Sequence, residues 1–97
     1  MALNVVWSSF AKRRLENQID YLIEHHAPQA ARQLEQRVSG FVNSTLAYFP
    51  NNGRELIEQN MFETWIPGTR LVIWYRFTAS DLEIINVWHT SQNRELD

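Results

Sequence analysis

The stretch Phe49-Pro50-Asn51-Asn52-Gly53 divides the sequence into two parts with different hydrophobic periods. A proline followed by an Asn-Gly pair is a strong turn signal. Before this stretch, apolar residues recur at the spacing of amphipathic helices; after it, they alternate as they do in strands. The sequence therefore predicts a helical first part and a β-rich second part.

Two amphipathic helices are predicted before the turn. The first can be capped at its start by Ser8 or Ser9, and its apolar stripe comprises Ala11, Leu15, Ile19, Leu22 and Ile23. Pro28 disfavours helical conformation in the residue before it and suits the first position of a second helix. The stripe of that helix comprises Ala31, Leu34, Val38, Phe41, Val42 and Leu46. So short a connection predicts an antiparallel helical hairpin.

Three strands are predicted after the turn, at residues 61–66, 69–78 and 82–90, and a fourth at residues 3–7 precedes the helices. Ala79-Ser80-Asp81 is predicted to form a tight hairpin. The expected fold is α+β in the order β-α-α-β-β-β, with an N-terminal helical hairpin packed on one face of a mainly antiparallel four-stranded sheet. We expect residues 1–97 to form a single domain.

The composition narrows the class of protein. The chain has 97 residues, no cysteine and a formal net charge of -2. These values exclude disulfides and cysteine-ligated zinc, and they disfavour a diffuse polyphosphate-binding surface. No apolar run approaches the length of a membrane span, and the first residues do not resemble a signal peptide. We therefore expect a cytoplasmic protein without membrane contact.

The alternation of side chains along a strand assigns the residues of the last hairpin to the two faces of the sheet. A two-residue loop pairs Thr78 with Asp81 and places one uniformly apolar set toward the helices: Leu71, Ile73, Tyr75, Phe77, Leu82, Ile84 and Trp88. The opposite face then collects Arg70, Val72, Trp74, Arg76, Glu83, Ile85, Val87 and His89. In this register Arg70 lies across from His89, and Arg76 lies across from Glu83. An apolar patch rimmed by charge predicts a partner surface.

The ordered motifs resemble a known family. They are Phe49-Pro50 with Gly53-Arg54, then Gly68-Thr69-Arg70-Leu71-Val72-Ile73-Trp74-Tyr75-Arg76, and finally Ile84-Ile85-Asn86-Val87-Trp88-His89 with Gln92 and Arg94. This set, which extends from Trp7 to Arg94, resembles the ParE/RelE superfamily of bacterial toxins from type II toxin–antitoxin modules. The similarity is greatest to the ParE branch.

The resemblance implies a toxin, encoded on a plasmid or a chromosome, that is silenced by direct binding of a cognate antitoxin. ParE-like members of the superfamily poison DNA gyrase without enzymatic activity, and we favour this function. The residues expected to contact the target or the antitoxin are Arg54, Arg70, Val72, Trp74, Ile85, Val87 and Arg94. No cofactor is expected. His25 and His26, adjacent at a helix end, make a poor metal site and are expected to cap helix carbonyls.

The alternative is a RelE-like endoribonuclease that cuts mRNA on the ribosome. In this hypothesis His89 is the general acid, and Arg70 and Arg76 stabilise the phosphorane. A convincing general base is missing, because Glu83 is expected to pair with Arg76 and the single lysine, Lys12, belongs to the first helix. A third interpretation is a degenerate member that binds its antitoxin but has lost toxicity.

Overall fold

The computed structural model describes residues 2–90. Strand β1 (Asn4–Trp7) is followed by helices α1 (Ser9–Glu24) and α2 (Pro28–Phe41), and a π-helical segment, Val42–Leu46, continues α2. A 3-10 turn, Pro50–Asn52, leads into β2 (Arg54–Leu56), and a second one, Ile57–Gln59, leads into β3 (Met61–Trp65). Strands β4 (Leu71–Phe77) and β5 (Asp81–His89) complete the described chain.

The sheet has five strands in the order β1-β5-β4-β3-β2. Strand β1 runs parallel to β5, and the other neighbours are antiparallel. The α+β class and the mainly antiparallel sheet are confirmed, but the predicted number of four strands is wrong. The missed strand is β2, three residues that pair with β3 at the edge of the sheet. Arg54-Glu55-Leu56 is too short and too polar to show an alternating pattern, so only its pairing with β3 defines it as a strand.

The helical hairpin packs on one face of the sheet, as predicted. Ser8 caps α1, since its hydroxyl accepts a hydrogen bond from the Ala11 amide at 3.0 Å. Pro28 occupies the first turn of α2. The core between the helices and the sheet is formed by fully buried apolar side chains from both layers, including Ala11, Val38, Val42, Leu46, Ile73, Tyr75, Leu82, Ile84 and Val87. No helix within residues 2–90 is long and apolar enough to cross a membrane.

The helix-to-sheet turn is held by a buried tyrosine. The Tyr75 hydroxyl donates to the Pro50 carbonyl at 2.7 Å and accepts from the Gly53 amide at 2.9 Å. A Cβ at position 53 would collide with that hydroxyl, so this close approach requires glycine. Burial raises the pKa of Tyr75, and the hydrogen bond from Gly53 partly opposes this shift. The predicted turn is thus confirmed and is fixed by a side chain from β4.

The register between β4 and β5 follows the prediction only near the hairpin. The Thr78 amide donates to the Asp81 carbonyl at 2.9 Å, and Arg76 pairs with Glu83, both as expected. A β-bulge then shifts the register, so that Trp74 pairs with Asn86, Ile73 with Val87 and Leu71 with His89. Ile85 is the additional residue. The predicted pairing of Arg70 with His89 is therefore wrong.

The bulge exchanges the faces of the residues that follow it. Val87 is fully buried in the core, and Trp88 contacts Trp74 on the opposite face, so the predicted positions of both residues are wrong. Without a bulge, the polar Asn86 would face the helices and Val87 would face outward, which burial energetics disfavour. The polar Asn86 at a predicted core position was the one sequence signal of this shift.

Helix α1 supplies hydrogen bonds to β5 beyond the end of β1. The pairing of β1 with β5 ends at Trp7 and Ile84. The Ser8 hydroxyl donates to the Ile85 carbonyl at 2.9 Å, and Arg14 Nε donates to the Val87 carbonyl at 2.8 Å. These donors satisfy backbone acceptors at and beyond the bulge, which lowers the cost of the irregular strand.

Candidate functional site: the outer face of the sheet

The outer face is the surface of the sheet opposite the helices. Strand alternation and the observed register place on it Arg54, Glu63, Trp65, Val72, Trp74, Arg76, Glu83, Ile85, Asn86 and Trp88. Basic, acidic and aromatic side chains from four strands are therefore neighbours on one surface. This mixture is typical of a protein-binding surface.

Glu63 organises one side of the outer face. Its side chain is 7% exposed and accepts hydrogen bonds at both carboxylate oxygens. Arg54 Nη2 lies 2.7 Å from Oε1, and Trp74 Nε1 lies 2.7 Å from Oε2. One buried carboxylate thus orients a guanidinium from β2 and an indole from β4. The Arg54 side chain is 72% exposed, so its cationic end remains accessible to a partner.

The tryptophans differ in accessibility. Trp74 and Trp88 meet edge to face with ring centroids 5.8 Å apart. Trp88 is buried and Trp74 is half-buried, whereas Trp65 is 58% exposed. Trp65 pairs with Val72 across β3 and β4, so it lies on the same surface as Arg54 and Trp74. An exposed tryptophan beside an oriented arginine is the composition of an interface hot spot.

The apolar patch predicted from the sequence is only partly present. Val72 is buried, and Val87 belongs to the helix-facing core. Trp74 and Ile85 remain half-buried on the outer face. The accessible apolar surface is centred on Trp65 instead. Trp65 was not among the contact residues predicted from the sequence.

Arg76 forms the predicted cross-strand ion pair. Arg76 Nε lies 2.6 Å from Glu83 Oε1, and the two side chains are 58% and 39% exposed. Solvent screens such a pair, which limits its contribution to stability to less than about 1 kcal/mol. Its main consequence is that the Arg76 guanidinium is already bound to a carboxylate.

The structure separates the three residues of the ribonuclease hypothesis. His89 and Arg70 line a cleft on the helix side of the sheet, together with residues of α1 and α2. Arg76 lies on the outer face, paired with Glu83, at the far end of β4. Six residues of extended chain separate the backbones of Arg70 and Arg76 by about 20 Å. The cluster of His89, Arg70 and Arg76 predicted on the open face is therefore wrong.

Two further predictions concern histidines and metals. His25 Nδ1 donates to the Tyr21 carbonyl at 2.8 Å, which confirms His25 as a cap of the α1 carboxyl end. His26 adopts a left-handed conformation with φ of 60°. Within residues 2–90, no three His, Asp or Glu side chains are grouped so that they could hold a metal ion.

A family model of known proteins matches this chain. The model describes the ParE toxin of the type II toxin–antitoxin system parDE, and it matches residues 5–94. The chain belongs to the ParE toxin family. The ParE-branch resemblance inferred from the sequence is thereby confirmed.

A solved structure has the same fold as this ParE-family chain. It is a chain of the chromosomal ParDE toxin–antitoxin system from P. aeruginosa, with a TM-score of 0.74 at 14% sequence identity. The alignment covers 91% of the present chain and 96% of the other. None of the curated proteins matches the sequence.

The predicted contact residues of this ParE-family chain are thus distributed over three environments. Arg54, Val72, Trp74 and Ile85 lie on the outer face, Arg70 lines the helix-side cleft, and Val87 is in the core. Arg94 lies outside the described residues. Glu63 was missed, because an isolated acidic residue in a short strand gives no sequence signal of the two donors that converge on it.

Proposed function

We propose that this ParE-family chain is the toxin of a type II toxin–antitoxin module, that it inhibits DNA gyrase, and that a cognate antitoxin neutralises it by direct binding. The match of the ParE family model over residues 5–94 carries this proposal. Gyrase inhibition is what the ParE branch implies, and it makes the protein cytoplasmic. His89, Arg70 and Arg76 do not lie together in one site that could cleave RNA, so we prefer the inhibitor function.

We place the contact with gyrase on the outer face, around Trp65 and Arg54. Tryptophan and arginine are the residue types that dominate the energy of protein interfaces. Trp65 is 58% exposed, so a partner would bury a large apolar surface there. Arg54 is held by Glu63 at 2.7 Å, and this orientation reduces the entropy lost when a partner binds.

A supercoiling assay with purified gyrase tests the function and the surface separately. Wild-type protein should inhibit supercoiling of relaxed plasmid. Trp65→Ala should weaken inhibition about tenfold or more, which corresponds to ~1.4 kcal/mol of lost contact energy. Ile57→Ala is the matched control, because Ile57 is 81% exposed but lies in the turn after β2. Undiminished supercoiling at saturating wild-type protein would refute the function. Equal potency of Trp65→Ala and wild type would refute the surface.

We place the antitoxin in the groove beside β1. Strand β1 is an edge of the sheet, so one side of its backbone is available to an added strand. The groove has a volume of about 590 Å³. Its lining combines apolar side chains of β1, α1 and α2, among them Val5, Val6, Leu15, Ile19 and Val38, with the charged side chains of Lys12, Glu16 and Glu35. A disordered segment that folds on binding would cover this apolar surface.

Binding of the antitoxin measured by calorimetry tests this placement. Val6 is 41% exposed on β1, so Val6→Asp puts a charge in the groove and should weaken binding about tenfold or more. Ile57→Asp places the same charge away from the groove and should bind as the wild type does. Normal affinity of Val6→Asp would contradict the groove, and absence of any complex with wild-type protein would contradict neutralisation by direct binding.

A further inference from the structure

A cleft of about 330 Å³ lies on the helix side of the sheet, between the helical hairpin and the turn that precedes β4. Its polar side chains come from α1, α2, that turn and the end of β5: Gln18, Tyr21, Gln33, Arg37, Thr69, Arg70 and His89. Leucines of both helices and of β4 complete the lining. A mixed apolar and cationic cavity of this size accommodates a small ligand.

The charge of the cleft is opposite to that of the whole chain. The protein has a formal net charge of -2, yet among residues 2–90 the cleft is lined by two arginines and no aspartate or glutamate. Arg54 and Arg76 are each paired with a carboxylate. Within residues 2–90, Arg37 and Arg70 form no such pair. Two guanidinium groups that have no carboxylate partner in the described part of the chain share one cavity, and together they attract an anion.

The turn at Gly68 positions one of these arginines. Gly68 has φ of +77°, and a Cβ at this position would collide with Arg37 Nη1. The Arg37 guanidinium therefore packs against the backbone of the turn, where a larger residue than glycine would displace it. Arg70 follows two residues later in the chain and lines the same cavity. The turn thus places two basic side chains, one from α2 and one of its own, in the same cavity.

We propose that this cleft binds the terminal phosphate of a nucleotide. Guanidinium groups match phosphate oxygens in a bidentate geometry, and the Gln18 and Gln33 amides provide further donors at the cavity wall. Tyr21 is 57% exposed at the same cavity, and one face of its ring is stacked on His25 with centroids 4.0 Å apart. The other ring face stacks on the base, since aromatic side chains bind bases with little sequence preference. This proposal goes beyond gyrase inhibition and does not depend on it.

A titration of the purified full-length chain followed by NMR tests the proposal. The ligands are inorganic phosphate, a deoxynucleoside 5′-monophosphate, the same nucleoside without phosphate, and a 5′-phosphorylated oligonucleotide. The monophosphate should bind more tightly than inorganic phosphate, and the nucleoside should not bind detectably. Tighter binding of the oligonucleotide than of the monophosphate identifies a strand terminus as the source of the phosphate. Equal affinity identifies the free nucleotide.

Substitutions of the cleft arginines test whether the monophosphate binds in the cleft. Arg37→Gln and Arg70→Gln should each weaken monophosphate binding about tenfold or more, because each removes a charge-assisted contact. Arg32→Gln is the matched control, an exposed residue of the same helix that does not line the cleft. The affinity of Arg70→Lys for the monophosphate should lie between those of the wild type and Arg70→Gln, because lysine keeps the charge. Circular dichroism verifies that each variant is folded.

Three results would overturn the proposal. The first is equal affinity for the nucleoside and its monophosphate. The second is equal weakening by Arg32→Gln and Arg37→Gln, since the attraction would then be a property of the surface as a whole. A cleft that binds an acidic peptide and no phosphate would likewise refute the nucleotide and identify a protein partner instead.

Discussion

Replacing Tyr75 by phenylalanine removes only the hydroxyl that holds the turn between the helices and the sheet. The ring stays in the core, where it stacks on Phe62 with centroids 5.7 Å apart. The Pro50 carbonyl and the Gly53 amide each lose their hydrogen bond to this hydroxyl. At about 1 kcal/mol for each bond, we expect the free energy of unfolding to fall by about 2 kcal/mol. For a domain of this size the thermal midpoint should fall by about 10 °C.

Urea denaturation followed by tryptophan fluorescence measures this loss. Tyr48→Phe is the matched control, since Tyr48 is 55% exposed and its hydroxyl makes no hydrogen bond within residues 2–90. This control should change the free energy of unfolding by less than about 0.5 kcal/mol. If Tyr75→Phe and Tyr48→Phe unfold at the same midpoint as the wild type, the hydroxyl does not hold the turn and the reasoning is refuted.

Four further predictions follow from the same contacts. Burial raises the pKa of Tyr75 above its ordinary value of 10.0, so the folded state favours the neutral hydroxyl. The stability that this hydroxyl contributes is therefore lost as the pH rises above 10.0. In urea titrations above this pH, the wild type should lose stability faster than Tyr75→Phe. Glu63→Gln should lower the free energy of unfolding by about 2 kcal/mol, since an amide cannot accept from two donors at both ends; an unchanged urea midpoint would contradict this. Val87→Ala should cost about 2 kcal/mol because the side chain is fully buried, whereas the unbulged register predicts less than about 0.5 kcal/mol. Arg76→Ala should cost less than about 1 kcal/mol by thermal denaturation, and a larger loss would show that its ion pair is not solvent-screened.

The Glu63 contacts connect stability to the proposed interface. The carboxylate that fixes Trp74 within the sheet also orients Arg54 on the outer face. Glu63→Gln should therefore weaken gyrase inhibition as well as stability, provided that Arg54 contacts the target. A variant that loses stability but inhibits gyrase as the wild type does would separate the two roles.

The sequence by itself determined the order of the two helices and of every strand except β2. The proline and the Asn-Gly pair at residues 50–53, together with the change of hydrophobic period, specify a helical hairpin followed by strands. These signals are local, because helix and strand periods are visible within a few turns or pleats. The pairing near the hairpin was also predictable, since a short loop fixes its register and places Arg76 opposite Glu83.

Only the tertiary structure decided which face of the sheet each candidate site residue occupies. A single extra residue, Ile85, moves Val87 and His89 to the helix side and Trp88 to the outer face. The bulge is favourable because Val87 is buried in place of Asn86, and because Ser8 of the α1 cap donates to the Ile85 carbonyl. Strand β2 is likewise defined only by its pairing with β3. The two donors that bind Glu63 also depend on β3, because Glu63 is a residue of that strand. Such features arise from contacts between segments distant in sequence, and no local period encodes them.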